Sequence, residues 1–220
     1  MHEKYLIIIM YGTILFELIT AIIGTIYFYK YKNTKLHNFI YLIWYIALNE
    51  IIVGILLKRI LKIQELDWLY NIYYLVYFCM LLIIFRSFLK HRKNKVIVTF
   101  FIYCYLISLV INGLYQNYLT ELQIIPHIFV SCLLIITITF YFIEILNSEK
   151  VLEVKRNLLF WISIGLLIHS IGSIPFRILR NYYNGLTDGH VSFLTTVILT
   201  VIMNLCFIIG FIWSDRKQLY

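Results

Sequence analysis

The chain has 220 residues, of which 62% are hydrophobic and only 14% are charged. Soluble domains are typically about half apolar and a quarter charged, so this composition excludes an ordinary water-soluble globule. The net charge of +8 does not indicate a nucleic-acid partner, because the basic residues lie in short clusters between apolar runs. We therefore expect an integral membrane protein with no nucleic acid as partner, embedded in the lipid bilayer.

Seven apolar runs predict seven transmembrane helices, because a backbone exposed to lipid must satisfy its own hydrogen bonds. The third and fourth runs are short, and all the connections are short. We expect an all-α polytopic bundle that forms one transmembrane domain over residues 1–220, with no soluble domain. The predicted helices cover residues 5–29, 38–57, 68–85, 96–111, 124–146, 158–176 and 191–213.

The distribution of lysine and arginine predicts the orientation. Thirteen of these residues lie on the side of the 30–37, 86–95 and 147–157 loops and of the C-terminal tail, and six lie on the other side. Because the richer side is usually cytoplasmic, we expect the N-terminus outside and the C-terminus in the cytoplasm. The location predicted is the cell inner (plasma) membrane, as a multi-pass protein.

Two stretches carry a family resemblance: "NLLFWISIGLLIHSIGSIPFRI" at 157–178 and "NLCFIIGFIWS" at 204–214. They resemble a pattern in small bacterial seven-helix membrane proteins that have no assigned function. The resemblance implies the same class of bacterial membrane protein and implies no mechanism.

The segments that follow residues 38 and 157 match at an offset of 119 residues. Asn38 corresponds to Asn157, and Glu50 corresponds to His169. Such matches are typical of small transporters built from two helix triples around one linking helix. A duplication of this kind is a hypothesis that the sequence leaves open.

Polar residues inside the predicted spans form the main candidate site. Glu17, Glu50, His169 and Asn204 each lie about eleven to thirteen residues into a helix, and Asn49 precedes Glu50. Because lipid offers no partner to such groups, they should face the bundle interior near one plane. Two neighbouring carboxyls cannot both ionise cheaply, so at least one should stay protonated and could share a proton with His169. Alternatively, a neutral Glu50 only bridges helices through hydrogen bonds.

A second candidate site lies at the predicted outer ends of two helices. Its basic residues could bind a carboxylate, a phosphate or a lipid head group. The alternative is that these side chains extend to the interface or pair with Glu65, Asp67 or Asp188. The residues are Lys58, Arg59, Arg177 and Arg180.

Metal, cofactor and disulfide chemistry are not expected. No HExxH or paired-ligand spacing occurs, and the two histidines at predicted helix starts, His127 and His190, are interpreted as interfacial. No cysteine lies in a loop or in a CxxC motif, so they should behave as small apolar residues. They are Cys79, Cys104, Cys132 and Cys206.

Single proline and glycine residues make local predictions. Pro175 should kink or end the sixth helix, whereas Pro126 lies at a helix start, where proline is harmless. Small residues inside the spans should permit close helix contacts. These glycines are Gly12, Gly24, Gly54, Gly165 and Gly172.

Three functions fit these features. The first is a sensing or partner-interaction module that responds to a proton, a small anionic ligand or a lipid and signals to another membrane or cytoplasmic protein. The second is a small-solute or proton-coupled transporter. The third, less favoured, is an intramembrane lipid enzyme with Glu17 or Glu50 as base and His169 as acid. No catalytic residue is assigned on this evidence.

Overall fold

The structure is a computed structural model that describes residues 2–63, 65–182 and 189–215. The side chains of residues 2–8, 149–152, 180–182, 189–190 and 192 are not among those described. Every regular element in this part of the chain is helical. In chain order these are α1 (His2–Ile26), α2 (Phe28–Tyr31), α3 (His37–Asn49), a π-helix (Glu50–Ile60), α4 (Asp67–Phe88), α5 (Arg92–Asn112), α6 (Ile124–Leu146), a 3₁₀-helix (Glu149–Arg156), α7 (Leu158–Tyr182) and α8 (Gly189–Trp213).

Seven helical segments are long and apolar enough to cross a membrane, which confirms the predicted all-α class and helix count. The second span consists of α3 and the π-helix together. The predicted short third and fourth spans are wrong, because α4 has 22 residues and α5 has 21. Pro175 does not end the sixth span either, since α7 continues beyond it to Tyr182. The predicted orientation of the termini stays a prediction.

The chain divides into two compact groups of residues. The terminal unit comprises 1–47 and 148–220, and the central unit comprises 48–147. The long helices of the terminal unit are α1, α7, α8 and most of α3. Those of the central unit are the π-helix, α4, α5 and α6. This division does not coincide with two helix triples around a linking helix, so the duplication stays a hypothesis.

In the terminal unit, glycines set the register between α7 and α8. A Cβ on Gly165 would stand 3.0 Å from the Met203 carbonyl oxygen and 3.1 Å from Cys206 Cβ. A Cβ on Gly172 would stand 2.7 Å from Leu199 Cδ2. Gly172 follows Gly165 along α7, whereas its contact Leu199 precedes Met203 along α8. The two helices are therefore antiparallel. Gly165 and Gly172 thus permit close helix contact as predicted.

The terminal unit also pairs α1 with α8. A Cβ on Gly24 would stand 3.1 Å from Phe211 Cζ. Just beyond, the Lys30 ammonium donates to the carbonyls of Phe211 (3.3 Å) and Ser214 (3.1 Å). The C-terminal ends of α1 and α8 therefore lie together, and since both cross the membrane, the two helices are parallel.

Two of the other glycines have different surroundings from those predicted. Gly12 has no neighbouring atom of the described residues within 4 Å of the position that a Cβ would take, its own helix backbone aside. Gly54 faces a residue of its own helix, Glu50, and Tyr70 of α4. Gly210, which the sequence did not single out, lies against Leu158 and Trp161.

Candidate functional site

The second span changes its hydrogen-bond pattern at Glu50. In a π-helix each N–H bonds the carbonyl five residues earlier, as the Leu61 N–H does to the Leu56 oxygen at 2.9 Å. Such segments are rare, usually cover a single turn and are frequent at functional sites. A run of eleven residues beginning at Glu50 therefore makes this segment the first candidate for function.

The Glu50 carboxyl lies where Gly54 leaves room. Glu50 Oε2 and the Tyr70 hydroxyl lie 3.2 Å and 3.9 Å from the position that a Cβ on Gly54 would take. The ammonium of Lys58, which is exposed, lies within electrostatic range of the carboxyl. The central unit thus brings together an acid, a phenol and a cation around one glycine. A larger residue at position 54 would occupy that space.

Asn49 contributes a buried donor at the start of this segment. Its side-chain Nδ2 has no hydrogen-bond acceptor among the residues described. A buried donor without a partner costs about 1–3 kcal/mol. Such a cost is typical of a site that is retained for a reason other than stability.

The π-helix ends in strained backbone. Lys62 has φ 55°, a left-handed conformation that costs a residue with a Cβ roughly 1–2 kcal/mol. The N–H of Ile63 bonds the Leu57 carbonyl at 3.0 Å and so closes the helix end. Strained residues are found preferentially at functional and switching sites, so Lys62 marks the same segment as Glu50 does.

In the terminal unit, Glu17 and Asn204 lie at the same level. Glu17 precedes Gly24 by seven residues, and Asn204 precedes Phe211 by seven, which is two helical turns in each case. Because Gly24 contacts Phe211 and the helices are parallel, Glu17 and Asn204 lie on the facing sides of α1 and α8. Both are buried, with 8% and 3% of their surface exposed. Asn204 Nδ2 donates to the Thr200 carbonyl of its own helix at 2.9 Å.

His169 lies close to this level on α7. It is four residues after Gly165 and three before Gly172, so it shares the helix face that meets α8. The glycine contacts place it level with Ile202, about 3 Å along the axis from Asn204. The structure therefore brings Glu17, His169 and Asn204 to one tier of the terminal unit. Asn49 and Glu50 belong to the central unit, so a single cluster of all five residues stays a prediction.

The residues of the predicted outer anion site are divided in the same way. Lys58 is exposed and Arg59 half-buried in the central unit, and Arg177 is half-buried in the terminal unit. The side chain of Arg180 and the whole of Asp188 lie outside the described residues. A joint anion site stays a prediction.

The sequence did not predict an aromatic–histidine cluster in the central unit. The His127 ring centroid lies 4.3 Å from that of Tyr74 and 6.4 Å from that of Phe78, and Phe78 lies 6.0 Å from Tyr105. His127 is only 2% exposed and lies in the first turn of α6, so its interpretation as a residue at the membrane interface stays a prediction; the side chain of His190 is not described. The spacing of Tyr70, Tyr74 and Phe78 at every fourth position could have indicated this face.

The cluster also contains a buried hydroxyl. Tyr105 is fully buried, and its hydroxyl has no hydrogen-bond partner within the described part of the chain. The cluster lies beside Tyr70 along α4, because Tyr70 and Tyr74 are one turn apart. Aromatic surface therefore continues from the space around Glu50 into the interior of the central unit.

Amide side chains close the α5–α6 connection of the central unit. Asn71 donates to the carbonyls of Tyr118 and Glu121, both at 2.9 Å, and accepts from the Gln123 N–H at 3.0 Å. Asn112 donates to Gln123 Oε1 at 2.5 Å. The Tyr118 hydroxyl donates to the Leu109 carbonyl, and burial raises the pKa of that hydroxyl, against the opposing effect of a backbone hydrogen bond from Gly113. These contacts tie the connection to α4 and to the end of α5.

Glu144 closes the α4–α5 connection. Its carboxylate accepts the backbone N–H of Lys90, the N–H of His91 (3.3 Å) and the side-chain Nδ2 of Asn94 (2.8 Å). A carboxylate at a helix N-terminus satisfies unpaired donors there. This cap explains why α5 begins at Arg92, four residues earlier than predicted. Glu144 lies in the last turn of α6 in the sequence, a position that looked like an ordinary helix end.

Lys30 and Tyr31 close the end of α8 in the terminal unit. Tyr31 is fully buried, and its hydroxyl shares a hydrogen bond with Ser214 Oγ. Burial raises the pKa of Tyr31 to about 12. Burial also lowers the pKa of the Lys30 ammonium, whereas the neighbouring Asp215 carboxylate acts in the opposite direction. Asp215 is itself paired with Arg156 at 3.4 Å.

The chemistry that these residues can perform is acid–base chemistry and hydrogen bonding. The described residues contain no group of three or more histidine, cysteine or acidic side chains that could hold a metal ion. The four cysteines are free.

No protein-family model, curated protein or solved structure matches this chain. The resemblance to small bacterial seven-helix membrane proteins therefore stays a prediction, and so does the inner membrane as its location.

Proposed function

We propose that this membrane protein is a sensing module in which the Glu50 carboxyl receives a proton or a small ligand. The observation that carries the proposal is the change from α- to π-helix at Glu50. A π-helical segment can also adopt the regular α-helical hydrogen-bond pattern at a similar energy. A change of charge at its first residue can therefore shift the equilibrium between the two forms. A helix that changes form can pass the signal to a partner protein in the membrane or the cytoplasm.

The surroundings of Glu50 support this role. The Tyr70 hydroxyl borders the same space around Gly54 as the carboxyl, and a phenol can both donate and accept a hydrogen bond. Lys58 places a positive charge within electrostatic range of the carboxyl. The backbone at Lys62, at the other end of the segment, is strained. A change of helix form could release that strain.

Hydrogen exchange of the segment 51–61 tests the proposal. The purified protein in lipid nanodiscs is measured between pH 5 and pH 8, and exchange is expressed as protection factors, which remove the intrinsic effect of pH. We expect protection of this segment to change with pH in the wild type and to be constant in Glu50→Gln. Glu17→Gln is the matched control, since it removes another buried carboxyl from a span and should keep the response.

Two results would count against a sensing role for Glu50. One is a wild-type segment whose protection is the same at every pH and with anionic ligands added. The other is an identical pH response in wild type and Glu50→Gln, because the responding group would then lie elsewhere.

The same segment favours a transporter as the second candidate. Transporters bind their coupling ions at interrupted helices within the membrane, and the π-helix interrupts the second span. A transporter predicts proton or solute flux in proteoliposomes that is abolished in Glu50→Gln, whereas a sensor predicts none. No contact among the described residues favours the third function, an intramembrane enzyme.

A further inference from the structure

The connection between α4 and α5, together with the helix ends on either side of it, carries five cationic side chains within ten residues. We name this set the basic turn. Four of the five are exposed, and the last is half-buried. Its members are Arg86, Lys90, Arg92, Lys93 and Lys95.

Acidic groups of the protein do not neutralise the basic turn. In the described parts of the chain, none of its five side chains forms an ion pair, the pair of Arg156 with Asp215 lying in the other unit. Among the residues that the structure describes, the acid that bonds to this turn is Glu144. Its oxygens accept from two backbone N–H groups and from the neutral amide of Asn94. The cations therefore keep their charge for an external anion.

The basic turn is held in place before any ligand arrives. Only three residues separate Phe88 from Arg92, and Leu89 among them is buried with 2% exposed. Arg86 Nε donates to Thr99 Oγ1 at 2.6 Å, which fixes the guanidinium against α5. Because the turn is already ordered, binding loses little conformational entropy.

The position of the basic turn in the protein indicates which class of anion it binds. Two spanning helices end and begin here, at Phe88 and Arg92, so the exposed cations lie at the boundary between hydrocarbon and water. Phospholipid phosphates occupy that depth, and basic residues beside a span attract anionic lipids. We propose that the basic turn binds the phosphate of an anionic phospholipid. This site is separate in its residues from Glu50, and it does not depend on the proposed sensing function.

Native mass spectrometry of the full-length protein in neutral detergent tests the proposal. Phosphatidylglycerol and phosphatidylcholine with the same acyl chains are titrated separately, and bound lipid is counted. We expect the wild type to prefer phosphatidylglycerol and the double variant Arg92→Gln/Lys93→Gln to lose roughly 25-fold in that affinity, since each cation near the surface contributes about fivefold. Lys32→Gln/Lys155→Gln is the matched control, because it removes two exposed cations of the terminal unit and should keep the affinity.

The outcomes separate this site from general surface charge. Equal losses in both double variants, or no preference for phosphatidylglycerol in the wild type, would overturn the proposal. Displacement of the lipid by millimolar inorganic phosphate would also overturn it, because the ligand would then be a soluble anion. If the double variant does not fold, the single variants Arg92→Gln and Lys93→Gln replace it, each with an expected loss of roughly fivefold.

Discussion

The two units hold their helices together in different ways. In the terminal unit, Gly24, Gly165 and Gly172 bring α1 and α7 close to α8. In the central unit, side-chain hydrogen bonds from Asn71 and Glu144 tie down the connections between α4, α5 and α6. In lipid, where apolar surface alone does not drive helices together, close packing and hydrogen bonding are the two available means. This chain uses one mainly in each unit.

The two units are sensitive to different substitutions. Close packing is lost when volume is added to a helix face, whereas a polar cap is lost when a single acceptor is removed. We therefore expect the greatest loss of stability from removing the Glu144 carboxylate, which accepts from three donors.

Glu144→Ala should destabilise the central unit by roughly 3 kcal/mol or more, because two backbone N–H groups and the Asn94 amide lose a charged acceptor. Glu144→Gln is the control and should cost about 1 kcal/mol, since it keeps an acceptor oxygen of the same shape. Reversible unfolding in mixed micelles measures both. A cost for Glu144→Ala no larger than that of the control would show that the cap contributes little.

Asn71→Leu should cost about 2 kcal/mol, because the buried Gln123 N–H and two carbonyls lose their partner. Asn117→Ala provides the comparison, since Asn117 is exposed and its side-chain Oδ1 accepts the Leu119 N–H; its cost should stay within about 0.5 kcal/mol. The same unfolding assay applies. Similar costs at the two positions would argue against a closed α5–α6 connection.

Gly165→Ala should cost roughly 1–2 kcal/mol in the terminal unit, because the new Cβ meets the Met203 backbone oxygen at 3.0 Å and that backbone cannot rotate away. Gly12→Ala has open space around it and should be neutral or gain up to about 1 kcal/mol from helix propensity. Melting temperatures in detergent compare the two variants. A neutral Gly165→Ala would mean that α7 and α8 can separate without cost.

Tyr31→Phe should cost about 1 kcal/mol at pH 7, through the lost hydrogen bond to Ser214. The folded pKa of Tyr31 is raised from about 10 to about 12, so its stabilising contribution is complete below pH 10 and is lost as the pH rises towards 12. The difference in unfolding free energy between wild type and variant should therefore shrink between pH 10 and pH 12. A difference that is constant across this range would contradict the burial of the hydroxyl.

The helix count could be predicted from the sequence because membrane spans obey one simple rule: the backbone must be satisfied over the full thickness of the hydrocarbon. Helix ends were less predictable. α5 begins at Arg92 because Glu144, more than fifty residues later in the chain, supplies its cap. An average of hydropathy over neighbouring residues places Arg92 in a loop, because it does not include a hydrogen-bond acceptor that comes from another helix.

The candidate site is only partly accessible to sequence reasoning. The depth of Glu17, His169 and Asn204 was predicted by counting residues along three helices, and the glycine contacts put these positions at a similar level of the terminal unit. That their side chains form one cluster stays a prediction. The π-helix at Glu50 could not be predicted, because its bonds join the same backbone groups as an α-helix does, in a shifted pattern without a sequence signature. The importance of Tyr70, Tyr105 and His127 depends on which rings meet across helices, which no single periodicity reveals.

The hydrogen-bonded α5–α6 connection has a consequence for proteolysis. A protease must draw several residues into an extended conformation, and residues 113–123 have their backbone engaged in turns and in the bonds from Asn71. This stretch also contains no lysine or arginine, whereas the shorter connection after the π-helix contains Lys62, which is exposed. Trypsin therefore has no site in the α5–α6 connection and can cleave at Lys62 beside the irregular helix, as it can at Lys90, Arg92 and Lys93 of the basic turn. The fragments that end at Lys62 should report on the segment that begins at Glu50.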